Sequence, residues 1–198
     1  MRWGLRQKLV VHGVVNHAGD CVVTRGEART SMKNGSEAMG NNSPSLYAEF
    51  GDKHGLYLET IDRYANDDGC APLVALESEP DIAKAVRAFF EAVITYATHH
   101  ESGATGCFLV SCVSTSAGNV SGTQELLRKA IEATDARISA RFDLEKTRGT
   151  LPMDFPSIER AKLLFDLRQG LVFRARAGFE DTALLDDIDK DIAAVLAI

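Results

Sequence analysis

The chain has 198 residues, 45% of them apolar and 25% charged, and a formal net charge of −6. That length accommodates one sizeable core, or a small head with a larger body, and the composition excludes disordered and collagen-like classes. No run approaches the roughly 18 apolar residues that a membrane span requires.

Leu9 to Val15 is the most signal-like stretch, but His12 and Gly13 interrupt it and no small-residue cleavage site follows, so the expected location is cytoplasmic. Cys21, Cys70, Cys107 and Cys112 have neither CxxC nor finger-like spacing and read as reduced, structural thiols. The acidity is uneven: residues 1–64 hold 8 Lys+Arg and 7 Asp+Glu, the remainder 14 and 21. A near-neutral head can carry a local basic face for nucleic acid, while an acidic body stays away from phosphates.

In chain order, residues 1–29 are atypical of a helix. Leu9, Val10, Val11, Val14, Val15, Val22 and Val23 form β-branched clusters separated by Gly13, Gly19 and Asp20. Thr30 to Met39 can form a helix, although Gly35 inside it costs about 1 kcal/mol against alanine. Gly40-Asn41-Asn42 is a turn signal. A second helix then starts at Pro44, which tolerates the first turn, with Ser43 as its N-cap. Leu46 and Phe50 share one face of it, Ser45 and Glu49 another. Gly51 ends that helix, Asp52 caps the next, and Lys53 sets a positive charge beside a helix N-terminus, where it opposes the dipole and suits an outside anion. Two short helices around a glycine-containing turn make a helix-turn-helix.

From His54 to about Asn66, Leu56, Leu58, Ile61 and Tyr64 give an apolar side to a helix joining head to body, and Asp67-Asp68-Gly69-Cys70-Ala71-Pro72 reads as its end. Ile82, Val86, Phe89, Phe90, Val93, Ile94 and Ala97 predict an amphipathic helix over Asp81 to His100. Gly106 to Thr115 is short and apolar, hence buried. A long helix follows from Thr123 to about Lys146, another from Ser157 to Gly178, and a last one capped by Asp181 that carries Leu184, Leu185, Ile188, Ile192, Val195 and Leu196. The sum is an all-α chain of about nine helices, with a helix-turn-helix domain at 1–66 and a second domain at 67–198.

Thr30-Ser31-Met32, Glu37-Ala38-Met39-Gly40 and Pro44-Ser45-Leu46-Tyr47-Ala48-Glu49-Phe50-Gly51-Asp52-Lys53 resemble the DNA-binding domain of TetR-family transcriptional regulators. Gly106-Cys107-Phe108-Leu109-Val110 and Gln169-Gly170-Leu171-Val172-Phe173-Arg174-Ala175-Arg176-Ala177-Gly178 are similar to segments of the C-terminal domains of that family. The resemblance covers about residues 30–196. It departs from the family at Gly35 and Asn41, where large aliphatic residues are usual, and at Ser43, where many relatives carry arginine.

The resemblance implies a homodimer that binds double-stranded operator DNA through Thr30, Ser43, Pro44, Ser45, Tyr47 and Lys53. Hydroxyls, ammonium groups and helix N-termini suit phosphate oxygens, while serine discriminates base edges weakly. It further implies an effector pocket in the body, for which the candidates are Phe89, Tyr96, Cys107, Phe108, Phe142, Phe165 and Phe173. An apolar lining suits a small apolar or amphipathic molecule. The candidate dimer interface is Leu163, Leu167, Gly170, Leu171, Leu185, Ile188 and Ile192, with Gly170 permitting close backbone approach.

No cofactor or metal is expected, and no membrane contact. His99 and His100 are adjacent at a helix end and diverge. Ser111, His99 and Asp166 lack a nucleophile elbow, so an enzyme is not expected. The expected function is a repressor released from its operator by an effector. The rival reading is a dimeric ligand-binding module with a defective DNA-binding head.

Overall fold

The structure is a computed structural model and describes residues 51–52, 54–55, 57–59, 71–99, 113–114 and 117–197. The predicted helix-turn-helix before Gly51 lies outside the described residues. Six helices of five or more residues are described: α1 (Ala71–Ser78), α2 (Ile82–Thr98), α3 (Thr123–Arg148), α4 (Ser157–Arg176), α5 (Asp181–Leu185) and α6 (Ile188–Leu196). Residues 54–55 and 57–59 are also helical, and no strand occurs among the described residues. The all-α expectation holds for them.

α1 corrects the reading of Ala71-Pro72 as the end of a helix. Pro72 falls in the first turn of α1, where a helix has no use for its missing N–H. Pro72, Leu73 and Leu76 are buried, and the helix stops before Glu79-Pro80, because the residue preceding proline disfavours helical dihedrals. Asp81 then caps α2, its carboxylate accepting the Lys84 N–H at 3.0 Å. Eight residues of α2, from Ile82 to Ala97, are buried, so this helix forms the centre of the body.

α3 begins after Gly122 and ends at Gly149, both with positive φ (81° and 77°), a conformation glycine adopts without a Cβ penalty. Ile138 and Phe142 are fully buried. α4 follows Pro156 and buries Ala161, Leu164, Leu171, Val172 and Ala175.

The last predicted helix is two. Asp186 keeps helical dihedrals, Asp187 stretches them to φ −100°, ψ −1°, and a new helix runs from Ile188, with Lys190 Nζ 2.6 Å from the Asp187 carboxylate. Asp is a weak helix former whose side chain competes for backbone groups, and acidic residues suit the first turn of α6.

α2 packs against α1, α4, α5 and α6, while α3 packs against α1 and α4. The core runs from Tyr57 and Leu76 through Phe89, Phe90, Ile94, Ile138 and Phe142 to Leu164, Val172, Leu184 and Val195. Two edge-to-face aromatic pairs lie in it, Phe89 with Phe90 at 5.8 Å and Phe142 with Phe155 at 5.4 Å between ring centres.

Candidate functional site

The predicted DNA-contacting residues Thr30, Ser43, Pro44, Ser45, Tyr47 and Lys53 lie outside the described residues, as do Cys107 and Phe108 of the pocket set. What the structure places is the body.

Phe89 and Phe142 are fully buried. Tyr96 and Phe165 are half-buried, and Tyr96 packs on the core. The four therefore face or border the interior. Phe173 does not: it is 70% exposed, on the side of α4 away from the core. Its place in the pocket set is corrected, because at about 100° per residue its helical position lies roughly 160–180° from those of buried Leu164 and Leu171, on the opposite side of the helix.

One inward polar group was not foreseen. Asp135 lies one turn before Ile138, and its Oδ1 is buried without a hydrogen-bond partner. Desolvation raises its pKa above the usual aspartate range; Lys162 counters this and Asp166 adds to it.

The dimer candidates divide by burial. Gly170 and Leu185 are exposed, whereas Leu163, Leu167 and Ile192 are half-buried at the edge of the core. Leu171 and Ile188 are 7% and 3% exposed and belong to the core of the single chain. Their assignment to the interface is corrected: three-four spacing identifies an apolar stripe without saying whether the chain itself covers it.

The outward face of α4 carries Lys162, Asp166, Gly170 and Phe173, and a Cβ added at Gly170 would meet nothing within 4 Å. Ile158 (60% exposed) and Phe179 (47%), the latter under the Arg174 guanidinium at 5.7 Å, add apolar area that the sequence reading missed. Isolated exposed apolar residues are ordinary, but a concentration on one helix and its C-terminal turn marks a contact surface. α6 is fastened beside this helix by Arg160, which donates to Ala194 O at 2.7 Å and Ala197 O at 2.8 Å. Arginine there satisfies carbonyls that the helix end leaves without partners.

A second polar centre joins α1 to α3. Arg141, buried, donates to Leu76 O (3.1 Å), Glu79 O (2.8 Å) and Pro80 O (3.3 Å) and pairs with Glu145, also buried. Glu145 further accepts from Arg148 at 2.8 Å. Burial alone would raise the Glu145 pKa, but hydrogen bonds from Arg141, Thr150 and Arg148 outweigh it and hold the group below the usual range. One turn earlier, Arg137 forks onto Glu77 at 2.8 and 2.7 Å. The sequence signal for this centre was an Arg-Glu pair four apart on the face that carries Ile138 and Phe142.

Among the described residues no group of three His, Cys, Asp or Glu side chains could hold a metal. His99 Nδ1 is 2.8 Å from Thr98 Oγ1 and its Nε2 is 3.8 Å from Asp181. No described helix is long and apolar enough to cross a membrane.

No protein-family model matches the sequence. The HTH-type transcriptional repressor ComR of Escherichia coli is 28% identical over 158 residues, 77% of this chain and 73% of that protein. The TetR family transcriptional regulator CifR, as a cysteine mutant complexed with 26-bp operator DNA, superposes with a TM-score of 0.81 at 22% identity, covering 92% of this chain and 95% of that one. The chain has the TetR-regulator fold. A TetR regulator from Chloroflexus aurantiacus shares it at a TM-score of 0.79 and 21% identity, over 98% and 96% of the two chains.

Proposed function

We propose that this chain is a DNA-binding transcriptional regulator that acts as a cytoplasmic homodimer and releases its operator when a small molecule occupies the body. The carrying observation is the match along nearly the whole chain to an operator-bound TetR regulator, together with the likeness to a repressor at 28% identity. The head is residues 1–66 and the ligand-binding and dimerisation domain residues 67–198. Thr30, Tyr47 and Lys53 hold phosphates, and Ser43, Pro44 and Ser45 lie at base edges. No catalytic role is assigned.

The exposed face of α4 supports the dimer. Lys162 and Asp166 stand in the row that leads to Gly170 and Phe173, so a second copy meets both charge and apolar surface there. In such a dimer the recognition helices stand one DNA turn apart, about 34 Å, and enter successive major grooves. The interior bordered by Phe89, Tyr96, Phe142 and Phe165 takes an apolar or amphipathic effector. Binding shifts the population toward a body conformation with another head spacing, and only a ligand with different affinities for the two states can do so.

The test is fluorescence anisotropy of the full-length protein on duplex DNA from upstream of its own gene, at several salt concentrations. Specific binding that weakens steeply with salt is expected, because released counterions drive phosphate contacts. A folded dimer that binds neither this duplex nor unrelated DNA at low salt would overturn the reading and leave a ligand-binding module with a defective head.

A further inference from the structure

α3 meets the segment that leads from the head into the body at two separate places. At its N-cap, Gly122 lies against Leu58: a Cβ on that glycine would stand 3.5 Å from Leu58 Cδ1. Roughly 25 Å further along the helix, at 1.5 Å per residue, Arg137 and Arg141 hold the other end of the segment. Arg137 grips the Glu77 carboxylate, and Arg141 grips the carbonyls of Leu76, Glu79 and Pro80.

We propose that α3 is a splint for the head-to-body connection, pinned to it at Leu58 and at Leu76–Pro80, and that it is the element through which DNA at the head and a ligand in the body influence one another. The proposal rests on the reading that residues 1–66 carry the DNA-binding head.

The chemistry of the second pin explains why it transmits position rather than only stability. A buried ion pair loses hydration and commonly stabilises no better than apolar side chains of the same volume. What the guanidinium adds is direction. Its planar fork donates to three carbonyls and one carboxylate at once, which fixes both the rotation of α3 about its axis and its height against the end of α1. Those carbonyls lie at and just beyond the C-terminus of α1, where the helix leaves acceptors without partners. Glu145, held from its other side by Arg148, keeps the guanidinium from turning.

Three consequences follow. The α1–α2 turn is not the hinge, because Glu79 and Pro80 are tied to α3. Any tilt or slide of α3 moves Leu76–Pro80 and pushes on Leu58 together. A ligand that displaces Ile138 or Phe142, which are buried next to Arg137 and Arg141 along the same helix, reaches the connection at the second pin without touching it. Reciprocally, DNA that fixes the head stiffens α3, since coupling between sites acts equally in both directions.

Amide hydrogen exchange of the full-length protein tests this, first without DNA. In the unmodified protein, amides of residues 74–78 and 138–145 should exchange at rates within about threefold of one another, opening as one unit. In the double variant Arg141→Met with Glu145→Leu, which leaves no orphan charge, the α1 amides should exchange at least about tenfold faster while 138–145 stay protected. A second variant, Arg137→Met with Glu77→Gln, alters only the partly exposed pair and should give a smaller change of the same sign. Independent exchange of α1 and α3 in the unmodified protein overturns the splint, whatever the variants do.

With the upstream duplex added, exchange in 137–145 should slow in the unmodified protein and not in the Arg141→Met, Glu145→Leu variant, although both bind DNA. Equal slowing in both overturns the transmission. Should no duplex bind either protein, the regulator reading fails instead, and the exchange measured without DNA still decides the splint.

Discussion

Arg141 and Glu145 sit four apart on α3 inside the body, with side chains 4% and 2% exposed. Removing one partner strands the other charge. Arg141→Met is therefore expected to lower unfolding free energy by about 3–5 kcal/mol, and adding Glu145→Leu to recover most of that, because the apolar pair needs no hydration. Urea denaturation of both variants measures it, and a double variant no more stable than the single one would contradict it. The same carboxylate sets a pH dependence. Burial opposes its charge, but the bonds from Arg141, Thr150 and Arg148 prevail and depress its folded pKa. The stabilisation is thus complete above the ordinary glutamate pKa and is lost as pH falls through the lower folded value. Glu77 follows in the same direction, mainly through its hydrogen bond from Arg137. Urea midpoints taken from pH 7 down to about pH 3 should fall on the acid side, and fall less in Glu145→Gln.

Asp135 has the opposite sign. Desolvation raises its pKa, so the charged form strains the fold at neutral pH, and the strain is relieved as pH falls through the raised value. Asp135→Asn keeps the shape and removes the charge beside Asp166. It is expected to leave stability unchanged or raise it by up to about 1 kcal/mol. A fall in the thermal midpoint at pH 7 would show that the carboxylate has a partner it needs, such as Lys162.

At the scale of elements, α4 divides its surface sharply. Leu164, Arg168, Leu171, Val172 and Ala175 face the chain's own core, and Lys162, Asp166, Gly170 and Phe173 face away. A helix of 20 residues with a core on one side and a 70% exposed phenylalanine on the other leaves apolar surface that its own chain does not cover, as the proposed dimer requires. Phe173→Asp should raise the dimer dissociation constant by about a hundredfold, equivalent to roughly 3 kcal/mol. The fold of the single chain should be spared, since little of that ring is buried within it. Sedimentation velocity with a parallel melting curve separates the two effects, and an undisturbed dimer would remove Phe173 from the interface. The glycines bounding α3 work at the same scale. Gly122 and Gly149 take positive φ at its two ends, so the helix starts and stops at fixed places. Its length in turn sets how far apart its contacts with Leu58 and with Leu76–Pro80 can be.

For the whole molecule, the proposed function joins a near-neutral head to an acidic body. If Lys53 makes a phosphate contact, Lys53→Ala should weaken binding uniformly across sequences and reduce the slope of log affinity against log salt by about one. Anisotropy at four salt concentrations measures that slope; a loss confined to one operator sequence would instead make Lys53 a base reader. In the proposed regulator, the acidity of residues 65–198 adds repulsion from phosphates and so confines DNA contact to the head.

Much of this architecture is written in local pattern. The three-four spacing of Ile82, Val86, Phe89, Phe90, Val93 and Ile94 predicts α2 to within two residues at its end. Gly149 with the prolines at 152 and 156 marks the loop between α3 and α4, because periodicity and chain punctuation are properties of neighbouring residues. The fold class and the likeness to TetR regulators were legible for the same reason. Whether a given apolar residue faces its own core or a partner's was not: Leu171 and Ile188 turned inward, and Phe173 turned outward. That choice belongs to how helices far apart in the sequence lie against one another. The break at Asp186-Asp187 and the start of α1 at Ala71 likewise depended on packing, which overrides propensities of a few tenths of a kcal/mol per residue. The grip of Arg141 on three carbonyls more than sixty residues earlier could be decided only by tertiary structure, since a hydrogen bond has no sequence signature at that separation.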